Sequence, residues 1–359
     1  MTWKPSLGTR RGALAATALA LATLGVTACH TPPPPPPPRE GFAITDKFFD
    51  VKSIGNNSFL LLGYRSALAR SDDGGKTWKK LTPPTHRNLT RLAFLDGKLG
   101  WGVGHEGIVF KTENSGESWT EQKSDTKNPL FDLSITGPQS VWAIGDQSTV
   151  IHTADGGNTW SVQKVEISMI GVREDMTLAV GDPIFYGVSC VDDNTCFVVG
   201  EFGQVRMTTD GGKTWGAGHG GLLGAARGKT IYRDVMSMPS FLCVRARDAQ
   251  HAVAVGTYGA IASTSDGVNW TWNQSPVGAP LYDIRALPDG DYLIVGASGT
   301  VIRGNPESGW KEVQMPPGVF TWISASDYDS AGHGVAGGGH GLLLTTSDFG
   351  KNWEWKANG

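Results

Sequence analysis

The chain of 359 residues contains 49 glycines and 13 tryptophans, yet only 18% of its side chains are charged, below the roughly 25% of an average globular domain. Aromatics at this density exclude a disordered chain, no Ala/Glu/Lys/Leu bias points to a helical bundle, and abundant turn residues imply an all-β fold of many short strands. The net charge is −3, and without a basic stripe the sequence argues against nucleic acid as a partner.

In chain order, residues 1–28 read as a signal peptide. Lys4, Arg10 and Arg11 form its charged start, and 13–26 form an apolar stretch. Val26-Thr27-Ala28-Cys29 then resembles the lipobox of bacterial lipoproteins, in which the cysteine becomes the lipidated first residue. An ordinary signal peptide cut nearby is the plainer alternative. The expected localisation is an exported lipoprotein, held by lipid on Cys29 at a periplasmic face or cell surface. Seven consecutive prolines, Pro32 to Pro38, favour polyproline II, a stiff spacer of roughly 20 Å. Residues 29–41 are therefore expected to lie outside the folded domain. No other stretch is long and apolar enough to span a membrane as a helix.

Residues 42–359 are expected to form one domain built from an internal repeat. SDDGGKTW (71–78), TADGGNTW (153–160) and TTDGGKTW (208–215) are near copies of one another. TENSGESW (112–119), STSDGVNW (263–270) and TSDFGKNW (346–353) are looser, and NPESGW (305–310) is decayed. The closing tryptophans, Trp78, Trp119, Trp160, Trp215, Trp270, Trp310 and Trp353, lie 41, 41, 55, 55, 40 and 43 residues apart. A second motif precedes each copy: an apolar run ending in Gly-x-x-Gly or Gly-x-x-Ser, as in WGVGHEG (101–107) and FVVGEFG (197–203). Gly supplies the positive φ of tight hairpins. A third element opens each unit, namely FFDV, LTRL, LFDL, FYGV, YRDV, LYDI and FTWI, and alternates like a half-buried strand.

Seven units of four strands describe a seven-bladed β-propeller of WD40-like architecture, in which neighbouring blades bury each other's faces. The extra residues at 161–183 and 216–230 are expected to be loops. Cys190 and Cys196 flank the turn VDDNT and read as a disulfide in an exported protein. Cys243 is left as a buried thiol. The S/T-x-D-x-G-x-T-W segments match the Asp box, or BNR repeat. Its aspartates, such as Asp73, Asp155 and Asp210, are expected to accept N–H bonds within their own turn.

The seven tandem pairs of xxVG-x-x-G with an Asp box resemble the photosystem II assembly and stability factor family of Asp-box propellers, which has relatives in non-photosynthetic bacteria. The resemblance covers about 42–359. It implies a non-enzymatic factor that binds and assists a membrane or envelope protein complex. The lipobox and proline spacer depart from the plastid members of that family.

Two further expectations follow from propeller geometry. The Gly-x-x-Gly turns should share one rim with the connections between blades, opposite the Asp boxes. That rim would present Tyr64, Arg65, His105, Glu106, Asp146, Glu201, Phe202, Tyr258 and His340 to a partner, with Tyr64, Phe202 and Tyr258 as aromatic anchors. Solvated turns without a role are the plainer alternative. The apolar residues Met169, Ile170, Met176 and Leu178 mark the first long connection as a contact element. Aligning the opening strands gives the column Asp50, Arg91, Asp132, Gly187, Asp234, Asp283 and Trp322. These aspartates are expected to bond the backbone of the next blade, with an acidic ring at the channel as the alternative.

Asp boxes also occur in sialidases, so glycan binding or cleavage is the competing function. It would need a cluster of arginines with a Tyr nucleophile and a carboxylic acid. The Arg-Ile-Pro motif of that family is absent, and Arg91, Arg233 and Arg285 do not fall at one strand position. No Gly-x-Ser-x-Gly, His-Glu-x-x-His or phosphate loop is present. His105-Glu106 alone is too little for a metal site, and no cofactor is expected.

Overall fold

The computed structural model describes residue 42 and residues 46–167, 182–228 and 230–355. The signal peptide, Cys29, the proline run and the apolar connection 168–181 lie outside the described residues. Each repeat folds into a four-stranded antiparallel sheet with its strands paired in chain order. In blade 1 these are β1 (Phe48–Gly55), β2 (Ser58–Gly63), β3 (Leu68–Ser71) and β4 (Lys79–Leu81). The other blades span residues 89–122, 130–163, 185–217, 241–272, 281–312 and 323–355. The first strands contact one another around the ring and line the central channel. The second strands, such as Val141–Gly145 and Ala252–Gly256, are buried along their whole length. That double burial is why they read as unbroken apolar runs rather than as alternating ones.

Two of the expected opening strands are corrected. In the fifth unit, YRDV (232–235) is not a strand. Asp234 caps a short 3₁₀ turn, Val235–Ser237, by accepting the Ser237 N–H at 2.9 Å. The first strand of blade 5 is Phe241–Ala246. In the seventh unit the strand is Ile323–Tyr328, so FTWI lies mostly in the connection before it. The channel column therefore reads Asp50, Arg91, Asp132, Gly187, Cys243, Asp283 and Ala325, each paired with the residue before the Gly of its second strand or with its equivalent. The connection 218–240 is also more than a loop. It carries the ladder Ala226–Arg227 with Thr230–Ile231, and its Leu222, Tyr232, Val235 and Met238 bury themselves beside Trp270.

The Asp boxes fasten the third-to-fourth turns. In blade 3, Asp155 accepts the Thr159 N–H and hydroxyl at 2.9 and 2.7 Å, while the Thr153 hydroxyl donates to it at 2.8 Å. The Thr153 oxygen in turn accepts the Gly157 N–H at 2.8 Å. Each intact box also presses its second glycine position on the preceding blade. At Gly75 (φ +84°) a Cβ would stand 2.9 Å from Val335 and 3.1 Å from Thr345 of blade 7. Glycine is required there by both conformation and space.

Among the described residues the ring closes without strand exchange, since blades 1 and 7 are each contiguous in sequence. Their seam is held by hydrogen bonds from Ser53 N–H to Asp327 (2.9 Å), Asn57 N–H to Asp329 (3.1 Å) and Gly341 N–H to the Asp46 carbonyl (2.9 Å). Phe42 packs there against Phe48 and Trp78. Cys190 and Cys196, opposite each other in blade 4, are joined as a disulfide, and Cys243 is a buried free thiol.

Candidate functional site

Each second-to-third-strand turn is a type I′ turn, closed by a hydrogen bond such as Ile108 N–H to the His105 carbonyl. Both central residues have positive φ, as that turn requires. The first central residue is never glycine: Arg65, Glu106, Gln147, Phe202, Tyr258, Ser298 and His340 have φ between 51° and 60°. The second is Gly or Ser because it abuts the connection to the next blade. A Cβ on Gly259 would lie 2.0 Å from the Val277 carbonyl oxygen, and Ser148 N–H donates to the Pro183 carbonyl at 2.8 Å. The first residue of the turn donates its N–H to the chain entering the same blade, as His105 does to Asn88 at 2.9 Å. The turns and the blade-to-blade connections therefore share one face. The Asp boxes lie on the other, where Gly156 N–H bonds the Gln139 carbonyl of the first hairpin. Seven side chains are held in a backbone conformation that costs roughly 1 kcal/mol each.

The rim residues divide by environment. Tyr64 and Tyr258 are 54% and 73% exposed, and Arg65 lies 5.5 Å over the Tyr64 ring. His105, Glu106 and His340 are exposed. Phe202 is half-buried against the connection 218–240, because Gly203 beside it abuts Met238. It braces that connection instead of standing free as an anchor. Glu201 turns back on its own blade, accepting the Ile184 N–H at 3.0 Å and the Tyr186 hydroxyl at 3.4 Å. Burial and then Glu201 push the Tyr186 phenol up to about 12. Asp146 accepts the adjacent Gln147 N–H.

The sequence reading missed the collar inside this rim. Every first strand has a register shift at its second residue, a bulge that re-aims one side chain. These second residues include Phe49, Phe131, Tyr186, Leu242 and Tyr282, all half-exposed. Phe49 stacks with Trp322 at 6.5 Å and meets Tyr64 edge-on at 6.5 Å. Phe320, 80% exposed, lies two residues before Trp322, in the stretch FTWI that was expected to be strand. The signal was the aromatic in second place in FFDV, LFDL, FYGV and LYDI.

Below the collar the channel is filled by ion pairs. Asp50, Asp132 and Asp283 accept the N–H groups of Leu92, Val188 and Ser326 in the next blades at 2.7, 3.0 and 3.2 Å. Arg91 reaches Asp132 (3.2 Å), Asp50 (3.5 Å) and, across the channel, Asp283 (4.0 Å). Lys52 pairs with Asp50 at 2.8 Å and Arg285 with Asp283 at 3.4 Å. An acidic ring is thus replaced by a neutralised network. Burial alone would raise the Asp283 carboxyl, but Arg285, Arg91 and Lys52 hold it down to about 2. Arg91, Arg245 and Arg285 do line one pocket of about 220 Å³ in the channel. Arg91 and Arg285 are already committed to carboxylates, and Arg233 is not among the lining residues.

Seven four-stranded blades fastened by Asp boxes place the chain in the class of Asp-box β-propellers. The chain matches the family model described as photosynthesis system II assembly factor YCF48 over residues 40–130 and 118–311. It belongs to that family. A photosystem II assembly lipoprotein Ycf48 from a strain of Prochlorococcus marinus is 30% identical over 182 residues, 48% of this chain and 48% of the relative. One from Synechococcus sp. (strain RCC307) is 33% identical over 118 residues, 31% of this chain and 35% of the relative. The chain thus spans about half the length, or less, of the curated relatives it matches. Among solved structures, YCF48 bound to D1 peptide has a TM-score of 0.64 at 17% identity, covering 85% of this chain and 94% of that one. YCF48 from Cyanidioschyzon merolae has a TM-score of 0.61 at 15% identity, with 86% and 98% covered. The WD40 propeller of Doa1 has a TM-score of 0.63 at 13% identity, with 89% and 96% covered. At these identities the structures speak for the fold.

Proposed function

We propose that this protein is a non-enzymatic assembly factor, tethered to a membrane through lipid on Cys29, whose turn-bearing face docks a polypeptide segment of a membrane protein complex. The observation that carries the reading is the Phe49–Trp322–Tyr64 cluster, with exposed Phe320 two residues before Trp322 in the chain, on a face that carries seven side chains held at positive φ. Aromatic anchors inside a polar rim are how protein-binding surfaces concentrate affinity. A relative solved with a D1 peptide makes a membrane-protein segment the fitting ligand class. The glycosidase reading is weakened by the same geometry. Two of the three channel arginines are neutralised by carboxylates, and Tyr186, the tyrosine paired with an acid, sits on the collar above them.

The test is capture from the cell's own solubilised membranes, with a Tyr64/Tyr258/Phe320 triple alanine variant beside the wild type. A membrane complex retained by the wild type and at least tenfold depleted in the folded variant is the expected result. Equal capture by both would overturn the docking face. Release of methylumbelliferone from a glycoside substrate, abolished by Arg285→Ala, would overturn the non-enzymatic reading.

A further inference from the structure

The decayed repeat NPESGW leaves one seam unfilled. In the six other blades an Asp-box turn wedges against the preceding blade at their common seam. Blade 6 lacks it for two reasons visible in the sequence. Gly304 stands where the other boxes have the anchoring Ser or Thr, since Gly304 pairs with Tyr292 as Thr153 pairs with Val141. Pro306 also stands where the other boxes have an Asp or Asn two residues after that anchor. Asn305 instead closes a tight hairpin, accepting the N–H groups of Glu307 and Ser308 at 3.0 and 2.8 Å.

The seam between blades 5 and 6 is accordingly open as a cleft of about 1190 Å³ on the Asp-box face. Its lining repeats the receptor for a box, part by part. The floor is Val253 with its cross-strand partner Ser263. They are the register equivalents of Val335 and Thr345, the pair that receives Gly75. The wall is Asn273, three residues after Trp270. Its equivalent Gln122, three residues after Trp119, donates to the carbonyl of box residue Gly156 at 3.1 Å. With no box present, Asn273 accepts the Trp310 indole N–H at 3.1 Å. The lip is the Gly290 carbonyl. At the equivalent positions Asn57, Lys98, Gln139, Asn194, Gln250 and Gly332 each accept a backbone N–H from their box. Among the described residues, no box N–H reaches Gly290.

We propose that this cleft docks a polypeptide turn of Asp-box shape, with a glycine at its tip, supplied by a different protein. A second copy of this chain has no such turn to offer, because its own six boxes are seated in their own seams. The site lies on the face opposite the aromatic collar and does not rest on the function proposed above. Together with the docking face proposed above, it would let the protein hold two partners, or two parts of one, on opposite faces.

The probe is a head-to-tail cyclised peptide containing TADGGNTW, the sequence of residues 153–160, titrated into the folded chain and followed by amide NMR shifts. Saturable shifts confined to the surroundings of Val253, Ser263, Asn273 and Gly290 are expected. Two variants close the site. One replaces residues 304–310 by the sequence TADGGNTW, and the other is Ser263→Leu, should the graft not fold. Affinity should fall at least tenfold in either. No shifts with the wild type, equal binding by the filled variants, or equal binding of a scrambled cyclic peptide would each overturn the proposal. So would self-association of the wild type that the graft abolishes, because the occupant would then be a second copy.

Discussion

At the scale of single residues, the Asp box shows which atoms matter. Its aspartate is partly exposed, while its threonine is not: Thr153 is 1% exposed and both donates and accepts within the turn. Thr153→Val keeps the shape and strands the Gly157 N–H, so it should destabilise by about 1–3 kcal/mol, read as a lowered urea midpoint at unchanged slope. Gly212→Ala should cost about 2–4 kcal/mol. Its φ is +83° and its Cβ would meet Trp142 at 2.7 Å. The box residues were legible because their chemistry is local and repeats in sequence. Phe49 was not, because a bulge decides where it points, and a bulge depends on pairing with the neighbouring strand. Phe202 was misjudged for a related reason: its exposure is set by Met238, 36 positions away.

Elements were legible where the repeat is intact and lost where an insertion mimics it. YRDV has the alternation of an opening strand, yet Asp234 spends its carboxylate on capping a turn. The true strand, Phe241–Ala246, has Cys243 where an Asp was expected. The connection so formed has its own buried polar contact. Arg206 bonds His219 at 3.2 Å and Gln204 at 2.6 Å, with no carboxylate partner among the described residues. Burial, and then Arg206, holds the His219 imidazole down to about 4. The unfolded chain takes up that proton near the ordinary value of 6.5, before the folded one does. The contribution is therefore complete above pH 6.5 and lost as the pH falls toward 4. Proteolysis within 218–240 should accelerate across that window, and His219→Gln should flatten the response. A rate independent of pH would remove His219 from this role.

For the whole molecule, the seven-fold count followed from spacing alone, but the charge inside the channel did not. Adjacent strands in space come from segments about 40 residues apart, and Arg91 meets Asp283 only because the ring closes. Acid should undo this network. The Asp283 carboxyl sits at about 2 in the folded ring against an ordinary 3.8. Its contribution is full above about pH 4 and disappears as the pH drops toward 2. Asp283→Asn should remove that acid dependence and cost about 3 kcal/mol at neutral pH, because Arg285 stays buried without its nearest countercharge. Guanidinium midpoints measured at pH 7 and pH 3 separate the two effects.

Contiguous blades have one more consequence. Because no strand is traded between the first and last repeats, the fold has no preferred starting point. The chain could be cut between blades 3 and 4 and rejoined through a short linker from blade 7 to blade 1, and each sheet would keep all four of its strands. Such a circular permutant should fold with an unchanged near-ultraviolet spectrum, and failure to fold would mean that the seam at Phe42 does more than join two ends. Which blade comes first along the polypeptide is then a free variable of the architecture.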